Sequence, residues 1–252
     1  MSKIAKSIYL AALIFFLFSP VLLSADLESI DVKGGVIWIG NEPVDAEGKD
    51  AAPHPLTTVV GVSLPIRFSP IFALVPELRY YGLPYGMEYG RAVPVEIEFA
   101  SWPWVLGFLL EPRAVFDFRL ADTLTISPYL SPTFLIRIPV PNRYSADIDE
   151  IAAYQYGMGR FFYPEAGVVL DWRLPFRNRS PLAESLNEEG FTEEPPYEGI
   201  EIHFIVDLNA YFPVFHIWDG EERKFYDQFM ASGAVGLRFL LPAQKAEPSD
   251  TQ

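Results

Sequence analysis

The chain has no cysteine. Disulfides, thiolate metal sites and a lipid carried on an N-terminal cysteine are therefore excluded. Positive charge is scarce: 19 Lys and Arg stand against 33 Asp and Glu, a net charge of −14 over 252 residues. Such acidity argues against nucleic acid as a partner, because its phosphates would be repelled. Past the N-terminus there is no apolar run long enough to cross a membrane as a helix. Glycine-rich phosphate loops, zinc-ligand spacings and internal repeats are missing too.

Histidine is limited to His54, His203 and His216. His203 sits near Glu201, Asp207 and Asn209, the setting of a paired histidine in polar surroundings. His216 and Asp219 have no serine beside them, so neither a Ser/His arrangement nor an Asp-His dyad can be assembled locally. Asp147, Asp149 and Glu150, alternating with Ile148, read as a solvated acidic loop rather than a cation site. The expectation is a protein that is not an enzyme and holds no cofactor or metal.

What is present begins with Lys3 and Lys6, an apolar run from Ile8 to Leu23, and Leu23-Ser24-Ala25. A basic start, an apolar stretch and a small residue before Asp26 describe a secretory signal peptide over 1–25, and the run is short for a retained anchor. Its removal would take both lysines and leave a net charge of −16. If the mature chain is in a membrane, it must be there as a closed sheet, since open edges cannot survive in hydrocarbon.

Eight stretches alternate with period two, the signature of strands: 30–40, 56–68, 72–82, 104–120, 123–138, 161–174, 200–213 and 228–241. All of their charges fall on the face that also carries the small residues. These are Asp31, Lys33, Arg67, Glu77, Arg79, Glu111, Arg113, Asp117, Arg119, Arg137, Glu165, Asp171, Arg173, Glu201, Asp207 and Arg238, eight of each sign. The opposite face is uncharged and bulky, with Trp104, Leu106, Phe108, Phe116, Phe134, Leu170 and Phe204 among its members. An eight-stranded barrel has an interior only just wide enough for side chains to fill. The bulky face is too large to point inward, whereas the charged face, with Gly61, Gly107, Gly167 and Gly236, leaves room for packed ion pairs. The pattern predicts an all-β fold, an antiparallel up-and-down transmembrane β-barrel of eight strands, over residues 26–241. Val93 to Phe99 also alternates and would lengthen a hairpin or make the count nine or ten. A polar tail follows at 242–252.

Connections alternate in length, short at Ser69-Pro70 and Ala121-Asp122, long at 41–55, 83–103, 139–160 and 214–227. Short periplasmic turns and long outer loops are the outer-membrane habit. The connection at 175–199 departs from it, with six Glu and four Pro in a stretch that reads as a flexible acidic segment. Aromatic residues flank both sets of connections, including Tyr80, Tyr81, Tyr85, Trp104, Tyr163 and Phe212 on the long side and Phe68, Phe118 and Trp172 on the short side, as two interfacial girdles would require. Pro76, Pro112, Pro128, Pro132 and Pro164 lie inside the stretches, so these sites should be bulges or breaks.

In pattern the chain resembles the small eight-stranded outer-membrane barrels of the OmpA/OmpX/OmpW kind, over about residues 28–241. Gly236-Leu237-Arg238-Phe239-Leu240-Leu241 is similar to the final strand that the barrel-assembly machinery reads in that group, although it ends on leucine rather than an aromatic. The resemblance implies a porin-like architecture in the outer membrane of a double-membraned bacterium. It also implies membrane lipid and the assembly machinery as partners, together with an unidentified partner at the surface loops. The functional expectation is a structural or interaction role with a largely plugged lumen. Its alternatives are a narrow pore for small solutes and a secreted β-sandwich that binds an apolar ligand.

Overall fold

The structure, a computed structural model, describes residues 27–41, 54–88, 91–97, 103–140, 148–157, 159–174, 201–213 and 228–241. The leader at 1–25, the acidic connection at 175–199, the tail at 242–252, and Asp147, His216 and Asp219 lie outside the described residues.

Alternation of side chains produces long antiparallel strands. In chain order these are β1 (Ser29–Ile39), β2 (Leu56–Ser63), β3 (Ile66–Ser69), β4 (Phe72–Glu88), β5 (Arg91–Pro94), β6 (Trp104–Phe116), β7 (Phe118–Ala121) and β8 (Leu124–Val140). A helix, α1 (Ile148–Gly157), precedes β9 (Phe162–Arg173), β10 (Glu201–Tyr211) and β11 (Met230–Leu240). Each main strand pairs with its neighbour in sequence, in the order β2-β1-β11-β10-β9-β8-β6-β4. The ring closes where Val59–Ser63 of β2 pairs with Glu77–Tyr81 of β4. The result is one closed eight-stranded barrel. Among the described residues no second sheet faces it, and the sandwich alternative falls. Closure leaves no open edge among these strands.

Two of the eight stretches are interrupted. The stretch 56–68 bends at Leu64-Pro65, between β2 and β3, and 104–120 breaks at Asp117, between β6 and β7. A third is longer than its alternation suggested: β4 runs on to Glu88 and folds back through β5, which pairs only with β4. Of the alternating run at 93–99, residues 98 and 99 lie outside the described residues, and the described part adds no barrel strand. Val93 and Pro94 end the returning strand of the short β4–β5 hairpin.

Four of the prolines fall into register. Pro76 lies opposite Pro112, and Pro132 opposite Pro164. The β6–β8 pairing stops at Leu110↔Phe134 and resumes at Ala114↔Leu130, which leaves Pro112 opposite Pro132 in the gap. The four prolines thus form a row across β4, β6, β8 and β9. In an antiparallel pair, alternate positions exchange no hydrogen bonds. Pro76–Pro112 and Pro132–Pro164 occupy such positions, so those two ladders run through unbroken. Pro112 and Pro132 meet where two N–H groups would be exchanged, and there the β6–β8 ladder opens. At the ends of the row, Leu64 N–H still donates to the Pro76 carbonyl (3.0 Å) and Phe212 N–H to the Pro164 carbonyl (2.8 Å). The expectation of bulges or breaks holds at the Pro112–Pro132 gap, at Leu64-Pro65 against Pro76, and at the break between β6 and β7, where Pro128 falls opposite Phe116. It is corrected at the Pro76–Pro112 and Pro132–Pro164 pairings, which run on unbroken.

The two faces have different surroundings. Val32, Val60, Leu78, Leu110, Phe116, Leu130, Ile136, Trp172, Leu208 and Val235 are exposed on the outer wall. Trp104, Leu106, Phe108, Phe134, Leu170 and Phe204 share that outward register and are partly covered only by their neighbours. The inward positions between them are buried. No helix among the described residues is long and apolar enough to cross a membrane. The crossing element is the wall itself: an apolar outside around a charged inside is the arrangement of a membrane β-barrel.

Candidate functional site: the enclosed lumen

Three layers of side chains fill the barrel. The middle one is ionic. Lys33 on β1, Glu77 and Arg79 on β4, Glu111 and Arg113 on β6, Glu165 on β9 and Asp207 on β10 are all at most 4 % exposed. Asp207 is the hub. Its Oδ2 accepts from Lys33 Nζ at 2.8 Å, from Arg113 Nη1 at 2.7 Å and from Arg79 Nη2. Arg79 Nε also donates to Glu77 Oε1 at 2.6 Å, and Arg113 Nη2 to Glu111 Oε2 at 2.6 Å and Glu165 Oε1 at 3.0 Å. Neutral donors complete the carboxylates. Thr133 Oγ1 reaches Glu165 Oε2 at 2.7 Å, Asn209 Nδ2 reaches Glu165 Oε1 at 2.5 Å, and Tyr211 Oη reaches Glu111 Oε1 at 2.8 Å. The Tyr129 ring lies under the Arg113 guanidinium, 4.2 Å from its centroid. A desolvated charge is tolerable only when paired and hydrogen-bonded in this way.

The room for this cluster comes from glycine. A Cβ on Gly107 would run into the Tyr81 ring, and one on Gly167 would lie 2.5 Å from Cζ of Tyr129. Tyr81 and Tyr129 therefore each lie over a glycine of the next strand, and any larger residue there would displace the ring.

The second layer is at the short-turn end. Arg238 grips both oxygens of Asp31 at 2.8 Å and also reaches Asp171. His203 lies between carboxylates, Nδ1 at 2.5 Å from Asp171 Oδ1 and Nε2 at 3.0 Å from Glu201 Oε1. This is the paired histidine that its neighbours in the sequence suggested. At the rim Arg67 bonds Glu28 and Asp117, both at 2.8 Å. Arg119 and Arg173 are not enclosed: their side chains are 67 % and 54 % exposed, on Asp122 and Glu201 respectively. The expectation that all sixteen charges share one sealed network is corrected here. The alternation puts Arg67, Arg119 and Arg173 on the inward face, but they stand at strand ends, where that face opens to solvent.

The third layer, at the long-connection end, is mostly apolar, a feature that charge alternation alone does not reveal. Ile37, Val59, Leu83, Val105, Leu109, Leu135 and Met230 point inward with Tyr81, Tyr163 and Tyr211. Tyr81, Tyr85 and Tyr163 are at most 2 % exposed, so these three belong to the interior rather than to an interfacial girdle. Tyr80, by contrast, faces outward beside Phe108, with ring centroids 5.4 Å apart. Helix α1 roofs this layer with Ile151 and Tyr154. Asp149 and Glu150, expected in an open acidic loop, occupy its first turn, where negative charge is favoured by the helix dipole. Arg137 lies in the same layer, bonded to the Arg160 carbonyl, to Tyr163 Oη at 3.1 Å and to Gln228 Oε1 at 3.4 Å.

No protein-family profile matches the chain. No curated protein matches it either. Among solved structures it is similar to Neisserial surface protein A, at 8 % identity with a TM-score of 0.43, covering 86 % of this chain and 99 % of that one. It is also similar to Ail, the attachment invasion locus protein of Yersinia pestis (9 % identity, TM-score 0.35, 86 % and 100 % covered). A third is the outer membrane protein OprG of Pseudomonas aeruginosa (7 % identity, TM-score 0.33, 86 % and 94 % covered). Strand count, closure and up-and-down order fit the OmpA/OmpX kind. The membrane assignment stands on this barrel's own two faces.

Proposed function

We propose that this protein is an integral outer-membrane barrel, exported by a cleaved leader and inserted by the barrel-assembly machinery. Its lumen is plugged, and its role is structural or interactive, exercised through the long connections. The observation that carries the reading is the Asp207 hub. Cations from β1, β4 and β6 converge on one β10 carboxylate, so side chains span the lumen from wall to wall at that level. A solute or ion passing that level would have to break several desolvated ion pairs at once, each costly to part. The Gly107–Tyr81 and Gly167–Tyr129 contacts support the same reading, since space that a channel would keep open is given to aromatic rings.

Purified protein inserted into planar bilayers should show no conductance above the lipid background. Steady single-channel openings would overturn the plug and favour the narrow pore. Separately, the chain should resist extraction from membranes by alkaline carbonate and come off only with detergent.

A further inference from the structure

We infer that the upper lumen holds a small monovalent anion, of chloride's size, between Arg137 and Tyr81. Arg137 is 8 % exposed, and among the described residues no carboxylate pairs with it. The ionisable groups nearest in effect are the phenols of Tyr163, Tyr85 and Tyr81. Its partners are all neutral: a backbone carbonyl, a phenol and an amide oxygen. The other enclosed cations on the barrel strands, Lys33, Arg79, Arg113 and Arg238, each have at least two carboxylates. A guanidinium buried without a counter-charge is expensive, and an anion beside it offsets that cost.

The remaining donors indicate size and place. Three of the five guanidinium N–H groups are used, one on Nη1 and two on Nη2, and Nε is buried with no hydrogen-bond partner. Tyr81 Oη is also buried; the Tyr85 phenol is near it, but the two make no hydrogen bond of good geometry. Register puts Tyr81, Gly107 and Arg137 side by side on β4, β6 and β8, and the Tyr81 ring lies over Gly107, towards Arg137. Two N–H groups and one O–H suit a single-atom anion, whereas a phosphate or sulfate would need more donors still. This site is independent of whether the lumen conducts.

The test uses the full mature chain folded in detergent, with chloride as the probe and gluconate as a control at equal ionic strength. The wild type should broaden the chloride-35 NMR line beyond detergent alone, and its thermal unfolding midpoint should be higher in chloride than in gluconate. Tyr81→Phe, which removes a hydroxyl with no well-formed hydrogen bond, should fold normally and lose at least half of the excess linewidth. Arg137→Gln should abolish both responses. Equal linewidths in wild type and Tyr81→Phe would overturn the site, even if Arg137→Gln failed to fold. So would identical wild-type midpoints in the two salts.

Discussion

At the scale of single residues, contact geometry outweighs charge counting. The middle layer holds four carboxylates, Glu77, Glu111, Glu165 and Asp207, against three cations, Lys33, Arg79 and Arg113. On charge alone, neutralising any one of the four would be equivalent. Their contacts differ, however. Asp207 takes three cations at hydrogen-bonding distance, whereas Glu111 takes Arg113 and the Tyr211 hydroxyl, with Arg79 farther off at 3.4 Å. Asp207→Asn should therefore cost about 3–5 kcal/mol, the penalty for stranding buried partners. Glu111→Gln, whose amide keeps an acceptor, should cost about 1 kcal/mol. Guanidinium unfolding curves in detergent would separate the two, and equal losses would mean that net charge governs. A second pair tests the close approach of the rings. Gly107→Ala drives a methyl into Tyr81 and should cost about 1–3 kcal/mol, while Gly34→Ala, with nothing within 4 Å of the new carbon, should be neutral.

At the scale of elements, the proline row makes its own prediction. Pro112 and Pro132 each lack an N–H, and each carbonyl faces the position where the other's would be. Pro112→Val with Pro132→Val supplies both donors between β6 and β8, in a lipid-surrounded wall where water cannot compete for them. The double variant should gain about 1–2 kcal/mol from the two new bonds. The new amides at these positions should also exchange slowly with deuterium. Exchange as fast as in an open loop would show that the seam does not close. Because the row depends on which strands are neighbours, no single stretch of sequence displays it. The eight barrel strands were legible, because lipid outside and ions inside make period-two alternation unusually clean. Their interruptions were signalled only by proline, and chiefly on the neighbouring strand rather than at the break itself. The break at Leu64-Pro65 arises where Leu64 meets Pro76 on the neighbouring strand, not from Pro65 alone. Leu83-Pro84-Tyr85-Gly86 looks like a turn, yet it is extended. Pro84 pairs with Trp104 in the β4–β6 ladder, and the Tyr85 N–H donates to the Pro103 carbonyl. Helix α1 was hidden because its inward face is only Ile151, Tyr154 and Gln155, too short a pattern to stand out beside its acidic first turn.

At the scale of the whole molecule, the barrel inverts the usual relation between exposure and polarity, and two adjacent leucines show what that implies. Leu109 points inward and is 0 % exposed, while Leu110 points outward and is 39 % exposed. Leu110 is central in β6, opposite Leu78 and Phe134, whereas Phe116 ends the strand beside the break at Asp117. The midplane of the bilayer is therefore better probed at Leu110 than at Phe116. Leu109→Ala should cost about 2–5 kcal/mol, because it leaves a cavity among packed side chains. Leu110→Ala should cost little, since acyl chains move in to replace what is lost. Leu110→Arg should cost about 2–4 kcal/mol, the penalty for a cation at the midplane of a lipid-facing wall. A water-facing wall would reverse the last result, for an arginine at an exposed strand position is harmless in solvent. Reversible unfolding in lipid vesicles measures all three. A Leu110→Arg variant as stable as the parent would mean that the outer face of this barrel does not meet hydrocarbon, and the membrane assignment would fall with it.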